Sequence, residues 1–173
     1  MNYEFTGKTK TVYGVTLHRI RATKGIPRLG VVSGDVGGWI EREENLSDDA
    51  WVFGDAQVFG DARVYGDAQV YGKAQVFGNA RVYGDARVYG DAWVYGRACV
   101  YGNALVFGYV HVYGEAQVFG EAQVFGNAQV SGEACVCGDA TIKSKSDYSV
   151  FRNTWSSGRW LTYTRSNRMW SVG

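Results

Sequence analysis

From residue 52 to residue 136 the apolar positions follow one period. Every sixth residue is valine, fifteen in succession, with glycine two places after each and alanine two places before all but one. The exception is Val110, which stands where the other repeats carry alanine. The unit reads Ala-x-Val-aromatic-Gly-Asx, and Ile40, Leu46 and Ile142 keep its register outward to make eighteen hexads. A helix, turning about 100° per residue, would rotate successive valines by roughly 240° and gather them on no single face. Helix is excluded. In a strand, residues an even number apart share a face, so Ala and Val point one way while x and the aromatic point the other. Glycine followed by Asp, Asn or Glu supplies a bend, because glycine accepts φ > 0 and an Asx side chain bonds its own backbone. The pattern predicts an all-β chain that bends at every hexad, with rungs stacked about 4.8 Å apart in a parallel β-helix.

The residues resemble the hexapeptide-repeat superfamily. Within it the chain is similar to the YdcK-like group, whose members carry a transferase label. The likeness rests on TLHRIRAT, on GDVGGWIEREENLSDDAWV and on the aromatic-Gly-Asx-Ala corners, over the first 140 or so residues. It implies a left-handed, three-sided helix with 18 residues per coil. Eighteen hexads then make about six triangular coils, roughly 29 Å tall at the rung spacing above, with the valines in three internal columns. The period alone leaves open a right-handed winding, as in bactofilin-like polymer-forming proteins.

A stack of this kind exposes strand edges and an open core at each end, which caps must cover. Residues 1–38 are expected to form an N-terminal β cap, since TVYGVTLHRIRA alternates like a strand, and residues 39–142 the repeat helix. Residues 143–173 are expected to form a basic, Trp-rich β cap, since WLTYTRS alternates and Ser156-Ser157-Gly158 has turn chemistry.

Composition changes this picture in a few places. The 173 residues suit one domain, and twenty-four glycines with one proline, Pro27, fit order because the glycines are evenly spaced. The net charge of +1 gives no strong nucleic-acid signal. That average conceals a division: residues 1–34 carry six basic groups and one acid, 35–142 six and fifteen, and 143–173 six and one, so the segments are +5, −9 and +5. No apolar run approaches the ~20 residues of a membrane span, which predicts a soluble chain. The start MNYEFTGKTK lacks the basic-then-apolar pattern of a secretory signal, and three cysteines is an odd number. Both predict a cytoplasmic location with reduced thiols. Cys135 and Cys137 form C-x-C with no second pair at zinc spacing, so neither a metal nor another cofactor is expected.

Candidate chemistry is sparse. His111 takes the outward x position of the one irregular repeat, Gly108 to Tyr113. Hexapeptide acyltransferases use a histidine near a subunit boundary, so the resemblance makes His111 the candidate base, although no inserted loop supplies a pocket. His18 falls in the N-terminal cap. The γ-class carbonic anhydrases of the superfamily need three histidines, and this chain has two. At an 18-residue period Asp49, Asp67, Asp85 and Asp139 form one acidic column, fit for turns or, less simply, for a cation. Cys99 and Cys135 fall two coils apart, too far for a disulfide. Phe53, Tyr71, Tyr89, Phe107 and Phe125 form one of three outer aromatic columns, either a self-packing ladder or a contact surface for another copy. The C-terminal segment gathers Arg152, Trp155, Arg159, Trp160, Tyr163, Arg165, Arg168 and Trp170. Arginine beside aromatic rings suits a nucleotide-like anion, and equally suits a cap whose rings plug the core.

Three functions are therefore expected, in this order: a non-enzymatic scaffold forming a homo-oligomer, dimer or trimer, through a β-helix face; a binding protein for a small anionic ligand; and an acyl-coenzyme A-dependent acyltransferase by analogy with the superfamily.

Overall fold

The computed structural model describes the backbone of residues 1–152, 160–166 and 169–172, and the side chains of residues 1–144, 146 and 147. The repeats form an all-β parallel solenoid of about six turns. Each rung is a short strand, most often two residues, and pairs in parallel with the rung 18 residues on, as Val88 does with Val106 and Val94 with Val112. Three faces result. The first runs from β3 (Val36–Ile40) through Gln57–Val58 to Gln129–Val130, the second from a bridge between Leu46 and Val64 to Cys135–Val136, and the third from Trp51–Val52 to Thr141–Ile142.

Two or three backbone hydrogen bonds tie a side of one coil to the next. Gln75 N–H donates to the Ala92 carbonyl at 2.9 Å, Phe77 N–H to Val94 at 3.0 Å and Asn79 N–H to Gly96 at 2.7 Å. The backbone bonds lie along the stack, so each coil satisfies its polar groups on its neighbours. The interior holds only small apolar side chains: every valine from Val52 to Val136 is fully buried, as are the alanines from Ala56 to Ala134 and Val110. Removing each valine from water stabilises the fold by about 1.5–3 kcal/mol. The wider Val110 costs its alanine-sized place no exposure, and the bend beside it is opened by Gly108 at φ 85°.

The first coil has no coil above it, and residues 1–35 lie there. Strands β1 (Tyr3–Val12) and β2 (Val15–Ala22) form an antiparallel hairpin, turned at Tyr13 and Gly14, both with positive φ. β2 pairs antiparallel with β3, so the hairpin extends the first face and covers its edge. Ile20, Ala22, Ile26 and Val31 join the same buried core as Val52 and Val58. Gly37 and Gly38 allow the close approach: a Cβ on Gly38 would lie 2.4 Å from a Val52 methyl, and one on Gly37 2.7 Å from Ile20. At the far end, strands Tyr148–Arg152, Trp160–Ser166 and Met169–Val172 form an antiparallel sheet. Among the described residues, no helix is long and apolar enough to cross a membrane.

Candidate functional site

The outward positions of the repeats divide into aromatic ladders and polar columns. Rings in the ladders lie parallel at the rung spacing: Tyr71 on Tyr89 at 4.6 Å, Tyr83 on Tyr101 at 4.9 Å, Phe77 on Tyr95 at 5.0 Å and Phe107 on Phe125 at 5.1 Å. Each ring buries its neighbours' faces, and that partial burial pushes the phenols of Tyr71, Tyr83, Tyr95 and Tyr101 up from their ordinary range. The rings are thus largely spent on one another. Tyr109 is the exception, exposed at the corner place that Asp91 and Asn127 take in the coils on either side.

His111 lies on the first face, with its ring centroid 5.1 Å from that of Trp93 and 6.2 Å from that of Tyr95. Among the described residues no carboxylate pairs with it by a hydrogen bond or salt bridge, so no acid orients it as a general base. His18 packs on Phe5, ring centroids 4.9 Å apart. The three cysteines are thiols on the second face. Cys135 and Cys137 interact directly, and burial together with its neighbour pushes Cys135 up to about 11. A thiol so protonated at neutral pH is a poor nucleophile. The acidic column is occupied by the chain itself: Arg28 reaches across two coils to pair with both Asp67 and Asp85, and Asn2 donates to Asp49 at 2.8 Å.

Of the C-terminal candidates, Trp155, Arg159 and Arg168 lie outside the described residues. Arg152, Trp160, Tyr163, Arg165 and Trp170 fall on the strands of the C-terminal sheet, where Arg152 pairs with Trp160 and Arg165 with Trp170 in register.

Among the described residues, the most concentrated group of cations in contact with an aromatic ring is on the N-terminal hairpin, which sequence reasoning credited with net charge alone. Thr6, Lys8, Arg19, Arg21, Val36 and Trp39 line a surface groove of about 330 Å³. Strand pairing assembles it: Thr6 and Lys8 come from β1, the two arginines from β2, and Val36 and Trp39 from β3. The Lys10 ammonium lies 4.5 Å and the Arg19 guanidinium 4.9 Å from the Trp39 ring centroid. Burial, with Arg19 close by, lowers the pKa of Lys10, while Asp55 opposes the shift. The counter-charges are few: Arg19 donates to Asp55 at 3.4 Å, and Glu4 lies 3.8 Å from Arg21. Two other grooves lie along the corner between the first and second faces. One, of about 260 Å³, contains the paired Arg42 and Asp61, and the other, of about 430 Å³, contains the paired Arg97 and Glu115.

Among known families, the model of the YdcK beta solenoid repeat matches residues 56–72, 74–85, 80–96 and 98–114. Residues 56–114 are therefore built of YdcK-type β-solenoid repeats, the group that the corners of the repeat resemble. No curated protein matches the chain.

Proposed function

We propose that the chain is a non-enzymatic scaffold: a rigid, left-handed prism that assembles into a dimer or trimer in the cytoplasm and presents its outer surfaces to partners. The observation that carries this reading is the unbroken solenoid. From Val52 to Val136 no loop leaves the coils, and the interior is filled by valine and alanine, leaving no internal room for a substrate. Acyl transfer would need an oriented base within a walled site, whereas His111 rests against Trp93 on an open sheet face. Left-handedness rests on the resemblance of the repeats. The cytoplasmic assignment rests on three cysteines kept as thiols.

The contact surface is the corner next to the Phe107–Phe125 stack, where Tyr109 stands exposed two residues along the chain from Phe107. Apolar rings grouped at one edge of an otherwise polar surface favour association. Light scattering at micromolar concentration should give a mass of two or three chains, and Tyr109→Asp should shift the protein toward a single chain. A wild-type monomer under those conditions removes the homo-oligomer from the proposal.

A further inference from the structure

We propose that the groove on the N-terminal hairpin is a binding site for a small ligand carrying a phosphate or pyrophosphate group. Lys8, Arg19 and Arg21 line it from two strands and Lys10 lies on the Trp39 ring that borders it, against Glu4 and Asp55 as acids paired to its arginines. The Arg21–Glu4 pair, 3.8 Å apart and exposed on both sides, holds little energy, and Asp55 takes one nitrogen of Arg19, so both guanidinium groups keep donors for a ligand. Lys8 has no ion pair among the described residues, and Lys10 faces an indole ring rather than a carboxylate. Lys10 and Arg19 both lie on the Trp39 ring, and an anion bound beside them relieves the repulsion of their like charges.

The backbone is also bent around this place. The pairing of β1 with β2 shifts between Phe5 and Thr9, where Gly7 takes φ 82° and Lys8 N–H donates to the Thr6 hydroxyl at 3.2 Å. The pairing of β2 with β3 shifts between Arg19 and Arg21. A bulge interrupts alternation and re-aims side chains, and both bulges border the same groove. A Cβ placed on Gly7 would meet nothing within 4 Å, so space above the first bulge is open.

Charge decides the size of the ligand. The basic surface ends at the first coil, below which residues 35–142 carry six basic and fifteen acidic groups. A long polyanion would run into that acidic body, whereas a phosphate or pyrophosphate group meets the cations alone. Because Lys10 and Arg19 already lie on Trp39, recognition is of the oxyanion, with no base stacked on that ring.

The test is isothermal titration calorimetry of the full chain with sodium pyrophosphate in low-salt, phosphate-free buffer, alongside amide chemical-shift mapping. Binding is expected with shifts centred on Thr6–Lys8 and Arg19–Arg21. The double variant Lys8→Gln, Arg21→Gln changes two exposed side chains and should weaken binding by at least about tenfold while circular dichroism stays unchanged. Glu4→Gln, which removes a competing acid, should tighten it. Adenosine diphosphate binding tighter than pyrophosphate would make the ligand a nucleotide, and equal affinities a bare phosphate group; both uphold the site. Absence of heat at millimolar pyrophosphate, or wild-type affinity in the double variant, overturns it.

Discussion

At the scale of single residues, the corner glycine carries two separate demands. Gly72 sits at φ 73°, and a Cβ there would lie 3.0 Å from the nitrogen and 3.1 Å from the oxygen of Gly90 on the next coil. Gly138 has φ 64° but nothing within 4 Å of its Cβ position. An alanine at either place is strained by about 1–3 kcal/mol, and only at Gly72 must it also push two coils apart. Gly72→Ala should therefore lower the denaturation midpoint clearly more than Gly138→Ala, as urea titration followed by circular dichroism would measure. Equal losses would mean that conformation alone selects glycine here. Most of this scale was legible in the chain, because valine, alanine and glycine each occupy one fixed place in a six-residue period. Two residues were not. Asp48 takes the glycine place at φ 56°, and its carboxylate accepts from Gly66 N–H of the next coil at 3.0 Å. Trp51 falls on an outward place of the repeat yet is 1% exposed, because the ends of the hairpin and β3 fold over it, an effect of distant chain that no local pattern contains.

At the scale of elements, the first coil is closed by polar bonds where later coils close by stacking. Asn45, at the end of the short 3-10 turn Glu43–Asn45, is buried and makes four bonds. Its amide donates to Gly60 O at 3.0 Å and Ala62 O at 2.8 Å, and its carbonyl accepts from Glu41 N–H at 3.2 Å and Arg42 N–H at 3.0 Å. Gly60 O keeps its bond from the Arg42 side chain, but Asn45→Ala strands the Ala62 carbonyl and the Glu41 and Arg42 N–H groups, at about 1–3 kcal/mol for each one left buried without water. The variant should lose several kcal/mol in chemical denaturation. A loss below about 1 kcal/mol, the worth of an ordinary exposed hydrogen bond, would show that water replaces the amide. The hairpin itself was visible as alternation in TVYGVTLHRIRA, and the bulges were not, since a bulge is a break in that alternation. This is why the phosphate groove escaped the sequence. Its cations are spread from Lys8 to Arg21, and only antiparallel pairing brings them to Trp39. The C-terminal arginines, crowded within one short stretch, drew the attention instead.

At the scale of the whole molecule, the stack is a one-dimensional assembly in which each coil contacts mainly the coils 18 residues before and after. Of its two ends, the first is held by side chains as well as by strand pairing. The first is fastened by Arg28 to Asp67 and Asp85, by Tyr3, whose hydroxyl donates to Glu43 O, and by the apolar core it shares with the hairpin. Damage in the middle should therefore spread unevenly. Val88 is fully buried in its column between Val70 and Val106, with no polar partner in the interior. Val88→Asp places a carboxylate there and should cost more than about 4 kcal/mol, through the lost valine and the desolvated acid together. Each coil is stabilised by its neighbours, so the rungs Gln69–Val70 and Leu105–Gly108 lose their support first, while β1 and β2, paired to each other and to β3, keep theirs. Amide hydrogen exchange should accordingly show protection lost at those two rungs and retained in the hairpin. Loss of protection at equal rates along the whole chain would instead mean that the solenoid and its N-terminal hairpin unfold as one cooperative unit, and the nearest-neighbour account of its stability would fail.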